Sequence, residues 1–161
     1  FYAVRHLKKE NENFVLDLVG FFEDEYKEQV KELEKHSIAH FYGFQSDPRP
    51  FYIEADCVVL PSYHEGMSNV LLEAAATGRP VVTSNIPGCR ESVENGKSGL
   101  LVEVKNKEML YDAMKEMLHC SREEREQMGQ AGREKMEREF RKEVVVEKTV
   151  QSLRGDEKRD F

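Results

Sequence analysis

No apolar run in this sequence approaches the roughly 18 residues that a helix needs to cross a membrane. Positive charge is also short. Against 31 Asp and Glu stand 24 Lys and Arg, a formal net charge of −7. A general nucleic-acid binder needs a basic face, so no nucleic-acid partner is expected. A small anionic ligand is not excluded, because local donors decide its binding. Cysteine is scarce: Cys57, Cys89 and Cys120 are odd in number, widely spaced and without a metal-ligating or redox pattern. Cys57 lies in an apolar stretch and reads as a small core residue. A reducing, cytoplasmic setting is expected. Repeats and low-complexity tracts are missing, and no signal peptide is visible at the start. The chain opens mid-pattern, with Phe1-Tyr2-Ala3-Val4 and no methionine, and is expected to be a fragment.

What is present suffices for one domain. A length of 161 residues can bury a real core. The apolar fraction is 39% and the charged fraction 34%, with the charge gathered toward the C-terminal end. Short apolar runs alternate with helix-like segments. Residues 14–20, 39–43, 57–61, 80–84 and 99–102 read as strands. Helices are expected over 23–36, with Tyr26, Val30 and Leu33 on one face, over 50–55 with Pro50 in the first turn, over 68–76 and over 109–119. Gly78-Arg79-Pro80 stops the third of these. Continuous apolar strands between helices predict a parallel sheet covered on both faces, a doubly wound α/β domain. Residues 1–120 are assigned to it. Residues 121–161 are expected to add one or two exposed helices to the same domain, frayed from Gly155 onward.

In such sheets ligands sit at the carboxyl ends of the strands. Gly20, Gly43, the segment 63–68 and the segment 85–88 all fall on that edge. The run 60–79, LPSYHEGMSNVLLEAAATGR, is the richest part of it. Its helix reads as buried, yet carries Glu73, and Glu65 precedes it by eight residues. A buried carboxylate requires a partner. The helical neighbours of Glu73 (Asn69, Val70, Ala76 and Thr77) include no base. Either a distant Arg or Lys pairs with it, or it accepts hydroxyls of a bound sugar nucleotide. Glu65 is either a solvated loop acid or a second acceptor of sugar hydroxyls. Gly66 and Ser68 lie at the helix start, whose free N–H groups suit a phosphate. Their plainer roles are a turn glycine and an N-cap. Neither glutamate should meet a diphosphate, because like charges repel. Arg79 and Arg90 are the nearby cations, and neither is obviously aimed at the site.

The segment Pro61-Ser62-Tyr63-His64-Glu65-Gly66-Met67-Ser68-Asn69-Val70-Leu71-Leu72-Glu73-Ala74 resembles the Glu-x7-Glu motif of retaining GT-B glycosyltransferases, glycosyl transferases group 1. That family includes bacterial polysaccharide and lipopolysaccharide transferases and sucrose synthase. Gly78-Arg79-Pro80-Val81-Val82-Thr83 is similar to the family's next turn and strand. Pro87-Gly88-Cys89-Arg90-Glu91, with Asn95-Gly96 and Gly99-Leu100-Leu101-Val102, is similar to its following signature. The likeness runs over residues 14–118.

The resemblance implies a nucleotide-diphosphate sugar as donor substrate and no metal. It implies that Glu65, the catalytic residue, contacts the donor sugar and that Glu73 holds the ribose. The amides of Gly66, Met67, Ser68, Asn69, Val70 and Leu71 would surround sugar and diphosphate. Gly20, Gly43 and Phe44 would lie near the nucleotide, and Glu91 would be structural. The acceptor, a carbohydrate or a lipid-linked one, would bind through an N-terminal domain not in this sequence. That acceptor would bring the parent enzyme to the inner face of the membrane. Two departures stand out. The family's first strand, with its diphosphate-binding Arg and Lys, has no counterpart before Phe14, and Arg5, Lys8 and Lys9 belong to the helix after it. Cys89 replaces a frequent second glycine. The fragment alone is therefore expected to be inactive. The rival readings are an epimerase or phosphorylase on the same fold, an inactive nucleotide-sugar-binding domain, and a flavodoxin-like signalling domain. An acidic cluster at the first strand end, which the last would need, is missing.

Overall fold

The structure is a computed structural model that describes residues 1–10, 12–21 and 24–154. The expected helix start at Glu23 and the expected frayed end from Gly155 lie outside the described residues. The chain opens with helix α1 (Tyr2–Lys9), strand β1 (Leu16–Val19), a 3-10 turn (Asp24–Tyr26) and helix α2 (Lys27–Lys35). Strand β2 (Ala39–Gly43), helix α3 (Arg49–Glu54), strand β3 (Val58–Leu60) and helix α4 (Asn69–Ala76) follow. Next come strand β4 (Val81–Ser84), strand β5 (Gly99–Val102) and helices α5 (Lys107–His119), α6 (Arg122–Glu139) and α7 (Lys142–Arg154).

The α/β class and the parallel pairing are as the apolar runs predict. The single sheet is not. Among the described residues the strands form two parallel sheets, β1-β2 and β3-β4-β5. An apolar run specifies a covered strand; it does not specify which neighbour the strand takes. The two-stranded sheet packs Leu16 and Leu18 against Val4, Leu33, Ile38 and Ala39. The three-stranded sheet has two cores. Val81 meets Tyr52, Leu71, Ala74, Cys89 and Val93, while Val82 meets Val102, Ala113 and Met117. This alternation along β4 is what a strand covered on both faces produces. Truncating a fully buried side chain such as Leu71 to alanine would cost about 2–5 kcal/mol.

The C-terminal helices differ from expectation in one respect. α6 is not simply exposed: Gly129, Gly132, Lys135 and Met136 are buried. A Cβ at Gly129 would stand 1.9 Å from the Gly78 carbonyl oxygen. The contact is made by glycine backbones, so no apolar stripe announces it in the sequence. α7 buries none of its residues.

Candidate functional site

The strand-to-helix turn after β3 is held from behind by glycine. Gly88 has φ +86°, and a Cβ there would lie 1.4 Å from the carbonyl oxygen of Gly66. Two backbones therefore touch where any side chain would separate them. The Ser68 N–H donates to the Gly88 carbonyl at 3.0 Å. The Gly88 N–H donates to Glu91 Oε2 at 2.8 Å, which gives Glu91 a structural task. Cys89, where a second glycine was the expected family residue, is fully buried in the core behind the turn.

On this mount the segment 63–67 is exposed, Met67 at 48%. Ser68 and Leu71 are buried, so they can offer a ligand only backbone; Asn69 and Val70 are exposed. The hydroxyl of Ser68 makes no capping bond to α4. Its expected N-cap role is thus confined to its backbone position. The first-turn amides of Asn69, Val70 and Leu71 find no acceptor among the described residues, as helix starts leave them.

Glu65 is exposed and accepts from the Ser62 hydroxyl at 2.8 Å. Glu73 corrects the sequence reading. α4 buries Leu71, Ala74 and Ala75, whereas Glu73 lies on its exposed face. Asn69 and Glu73, four residues apart, share the exposed face, but the apolar residues around them make the helix read as buried throughout. Burial therefore does not force a partner on Glu73. It has one nonetheless: the Tyr52 hydroxyl donates to Glu73 Oε2 at 3.1 Å. Burial first, and then the Glu73 charge, push the Tyr52 phenol up to about 12. Glu73 also lines an open groove of about 420 Å³ with Leu72, Ala76, Arg133, Met136 and Phe140. Glu65 is not among the residues of that groove. The two acids thus share a segment, and this groove does not join them.

The two cations named from sequence point elsewhere. Arg79 Nη2 donates to the Ile53 carbonyl, and Arg90 pairs with Glu91 at 3.6 Å. Lys105, beyond the end of β5, was missed. Its Nζ stands 5.8 Å from the centre of the Tyr63 ring, beside the turn. Its position depends on a left-handed backbone, φ +63°, which no sequence signal announced.

On the two-stranded sheet, Gly20 follows β1 and donates to the carbonyl of Gly43, the last residue of β2, at 2.8 Å. Phe44 is 64% exposed and Phe21 is 85% exposed; their rings stack with centroids 5.2 Å apart. Tyr42 packs edge-on against Phe51 of α3 at 4.9 Å. The next residue along α3 is Tyr52, the partner of Glu73. α3 thus connects Gly20, Gly43 and Phe44 with the glutamate-bearing segment. Among the described residues no helix is long and apolar enough to cross a membrane.

Residues 1–135 match the family described as Glycosyl transferases group 1. The chain is 32% identical over 102 residues to the capsular polysaccharide biosynthesis glycosyltransferase CapM of Staphylococcus aureus. That match covers 63% of this chain and 27% of CapM, so the chain spans about a quarter of that relative's length. Its fold matches the sucrose-phosphate synthase of Thermosynechococcus elongatus with a TM-score of 0.79 at 25% identity, over 96% of this chain and 41% of that one. It also matches Anabaena HepE, in a crystal structure with UDP, with a TM-score of 0.74 at 18% identity, over 96% of this chain and 52% of that one. By sequence over most of its length, and by an α/β fold shared with GT-B glycosyltransferases, the chain belongs to the glycosyl transferases group 1 family.

Proposed function

We propose that this chain is the donor-binding part of a retaining glycosyltransferase. It would hold a nucleotide-diphosphate sugar against the turn 61–68 and the start of α4. The observation that carries the reading is the pair Glu65 and Glu73, on either side of an uncapped helix start, in a chain of a glycosyltransferase family. The free amides and the positive end of α4 suit the diphosphate. Glu73 accepts ribose hydroxyls, and Glu65 contacts the donor sugar near its reacting carbon. Gly66, Met67, Asn69 and Val70 border the donor, with Ser68 and Leu71 contributing amides. Gly20, Gly43 and Phe44 flank the nucleotide, where the Phe21–Phe44 stack offers a face to the base.

Transfer breaks the bond from the anomeric carbon to the diphosphate oxygen and forms one to the acceptor oxygen, with the configuration kept, and the acceptor's proton passes to the departing diphosphate. The leaving diphosphate is stabilised by amides and cations, with no metal in the step. Lys105 is one cation on this chain; the Arg and Lys that the family resemblance implies would come from the part of the enzyme before it. HepE, which shares the fold, has been crystallised with UDP, in keeping with a nucleoside-diphosphate ligand. The acceptor is a carbohydrate or a lipid-linked one, bound with the help of the N-terminal domain, and this chain alone does not catalyse transfer. The three free cysteines fit a reducing, cytoplasmic setting, with a lipid-linked acceptor drawing the enzyme to the inner face of the membrane.

The test uses the full-length enzyme. UDP-, GDP- and ADP-sugars are screened by thermal shift. The best donor, isotopically labelled, is then followed to product by NMR. One donor class should raise the melting temperature, and the product should keep the donor's anomeric configuration. An inverted product, or no stabilisation by any donor, contradicts the proposal.

A further inference from the structure

Tyr52 is a buried aromatic residue with one polar atom, and that atom has a chosen partner. The residue is 7% exposed, and its ring packs in the core with Leu71, Ala74 and Val81. Its hydroxyl reaches outward from that core to Glu73 Oε2 at 3.1 Å. The helix that carries it is held on both sides. Phe51 packs on Tyr42 of β2, and the Ile53 carbonyl accepts from Arg79. The phenol is therefore delivered by a rigid support to an otherwise exposed carboxylate.

An ionised carboxylate accepts through two oxygens and about four lone pairs. Tyr52 occupies part of Oε2, while Oε1 has no partner among the described residues. A glutamate on an exposed helix face samples several rotamers; a fixed donor on one oxygen selects among them. The donor is a neutral hydroxyl, so it adds no counter-charge beside the carboxylate. The phenol, raised to about 12, is a hydrogen-bond donor at neutral pH.

We propose that Tyr52 is a positioning residue for Glu73: its phenol pins one carboxylate oxygen and presents the other to the ribose hydroxyls, making the site selective for ribonucleoside over 2′-deoxyribonucleoside diphosphates. The inference rests on the ribose role proposed for Glu73.

The test is calorimetry on the full-length enzyme with UDP, GDP and ADP and their 2′-deoxy counterparts. Wild type is compared with Tyr52→Phe, Glu73→Gln, Glu73→Ala and the double variant Tyr52→Phe with Glu73→Ala. Tyr52→Phe keeps the ring in the core, and thermal melts verify its folding. It should weaken the ribonucleotide about 3–10-fold, the scale of one hydrogen bond to a charged group. It should weaken the deoxynucleotide less, narrowing the selectivity, and should have no further effect once Glu73 is Ala, which leaves the phenol no acceptor there. Equal weakening of both nucleotides, unchanged affinity for both, or the same loss in the Glu73→Ala background would each overturn the role of Tyr52. If Glu73→Gln weakens binding and Tyr52→Phe does not, Tyr52 alone is refuted. If Glu73→Gln itself changes nothing, the ribose role of Glu73 fails, and the role of Tyr52 falls with it.

Discussion

The two sheets treat similar residues differently. β4 runs between β3 and β5, and all four of its residues are buried. β1 alternates half-buried and exposed positions, leaving Val19 40% exposed at its carboxyl end. Both strands are short and rich in branched aliphatics. What separates them is the number of covered edges and faces, which tertiary pairing decides. The difference extends to the candidate site. The three-stranded sheet positions its glutamates through a turn braced by touching backbones. The two-stranded sheet ends in exposed aromatic rings, which suits contact with a flat ligand more than precise hydrogen bonding.

The largest contrast should appear on adding one methyl group to each side. Gly88→Ala drives a Cβ into the Gly66 backbone in a left-handed conformation. A loss of about 3 kcal/mol or more is expected in urea unfolding. Gly20→Ala meets nothing within 4 Å and carries only the strain of φ +121°, so a loss of about 1–2 kcal/mol is expected. Equal losses would mean that the turn after β3 is no better braced than the β1–β2 edge. A smaller effect is expected for Phe44→Ala. Stability should move by less than about 0.5 kcal/mol, because the ring is exposed. Nucleotide affinity of the full-length enzyme should fall by about 1 kcal/mol through lost stacking. Unchanged affinity would remove the two-stranded sheet from the site.

The last effect is confined to alkaline pH and belongs to Tyr52. Its folded-state pKa is raised from 10.0 to about 12. The stabilisation is whole below the unfolded value. It declines as pH rises through this window, because the unfolded chain releases its proton first. Tyr52→Phe should flatten that part of the stability profile in denaturant titrations between pH 9 and pH 12, values that bracket the shift from 10.0 to about 12. An identical slope in the variant would show that the phenol contributes nothing there.

Much of this is legible in the residues alone. The strand positions, the stop at Gly78 and the placing of Glu65 and Glu73 around a helix start all followed from local pattern. The structural task of Glu91 came from a family resemblance, and the geometry agrees with it. What was illegible had a common cause, that local sequence does not carry distant contacts. Tyr52 lies 21 residues from the carboxylate it meets. The packing of α6 depends on Gly129 against Gly78, two residues without side chains to signal it. In α4 the apolar majority outweighed the one legible sign of a solvent face, Asn69 and Glu73 four residues apart. Lys105 reaches Tyr63 only because of a backbone conformation that lysine seldom adopts.

The division of labour proposed for the two acids is tested most directly by calorimetry on the full-length enzyme, comparing a nucleoside diphosphate with its sugar conjugate. Glu73→Gln should weaken both ligands by about 1–3 kcal/mol, since both carry the ribose. Glu65→Gln should weaken the sugar conjugate alone. If neither substitution changes either affinity, the turn 61–68 and the start of α4 are not the donor site.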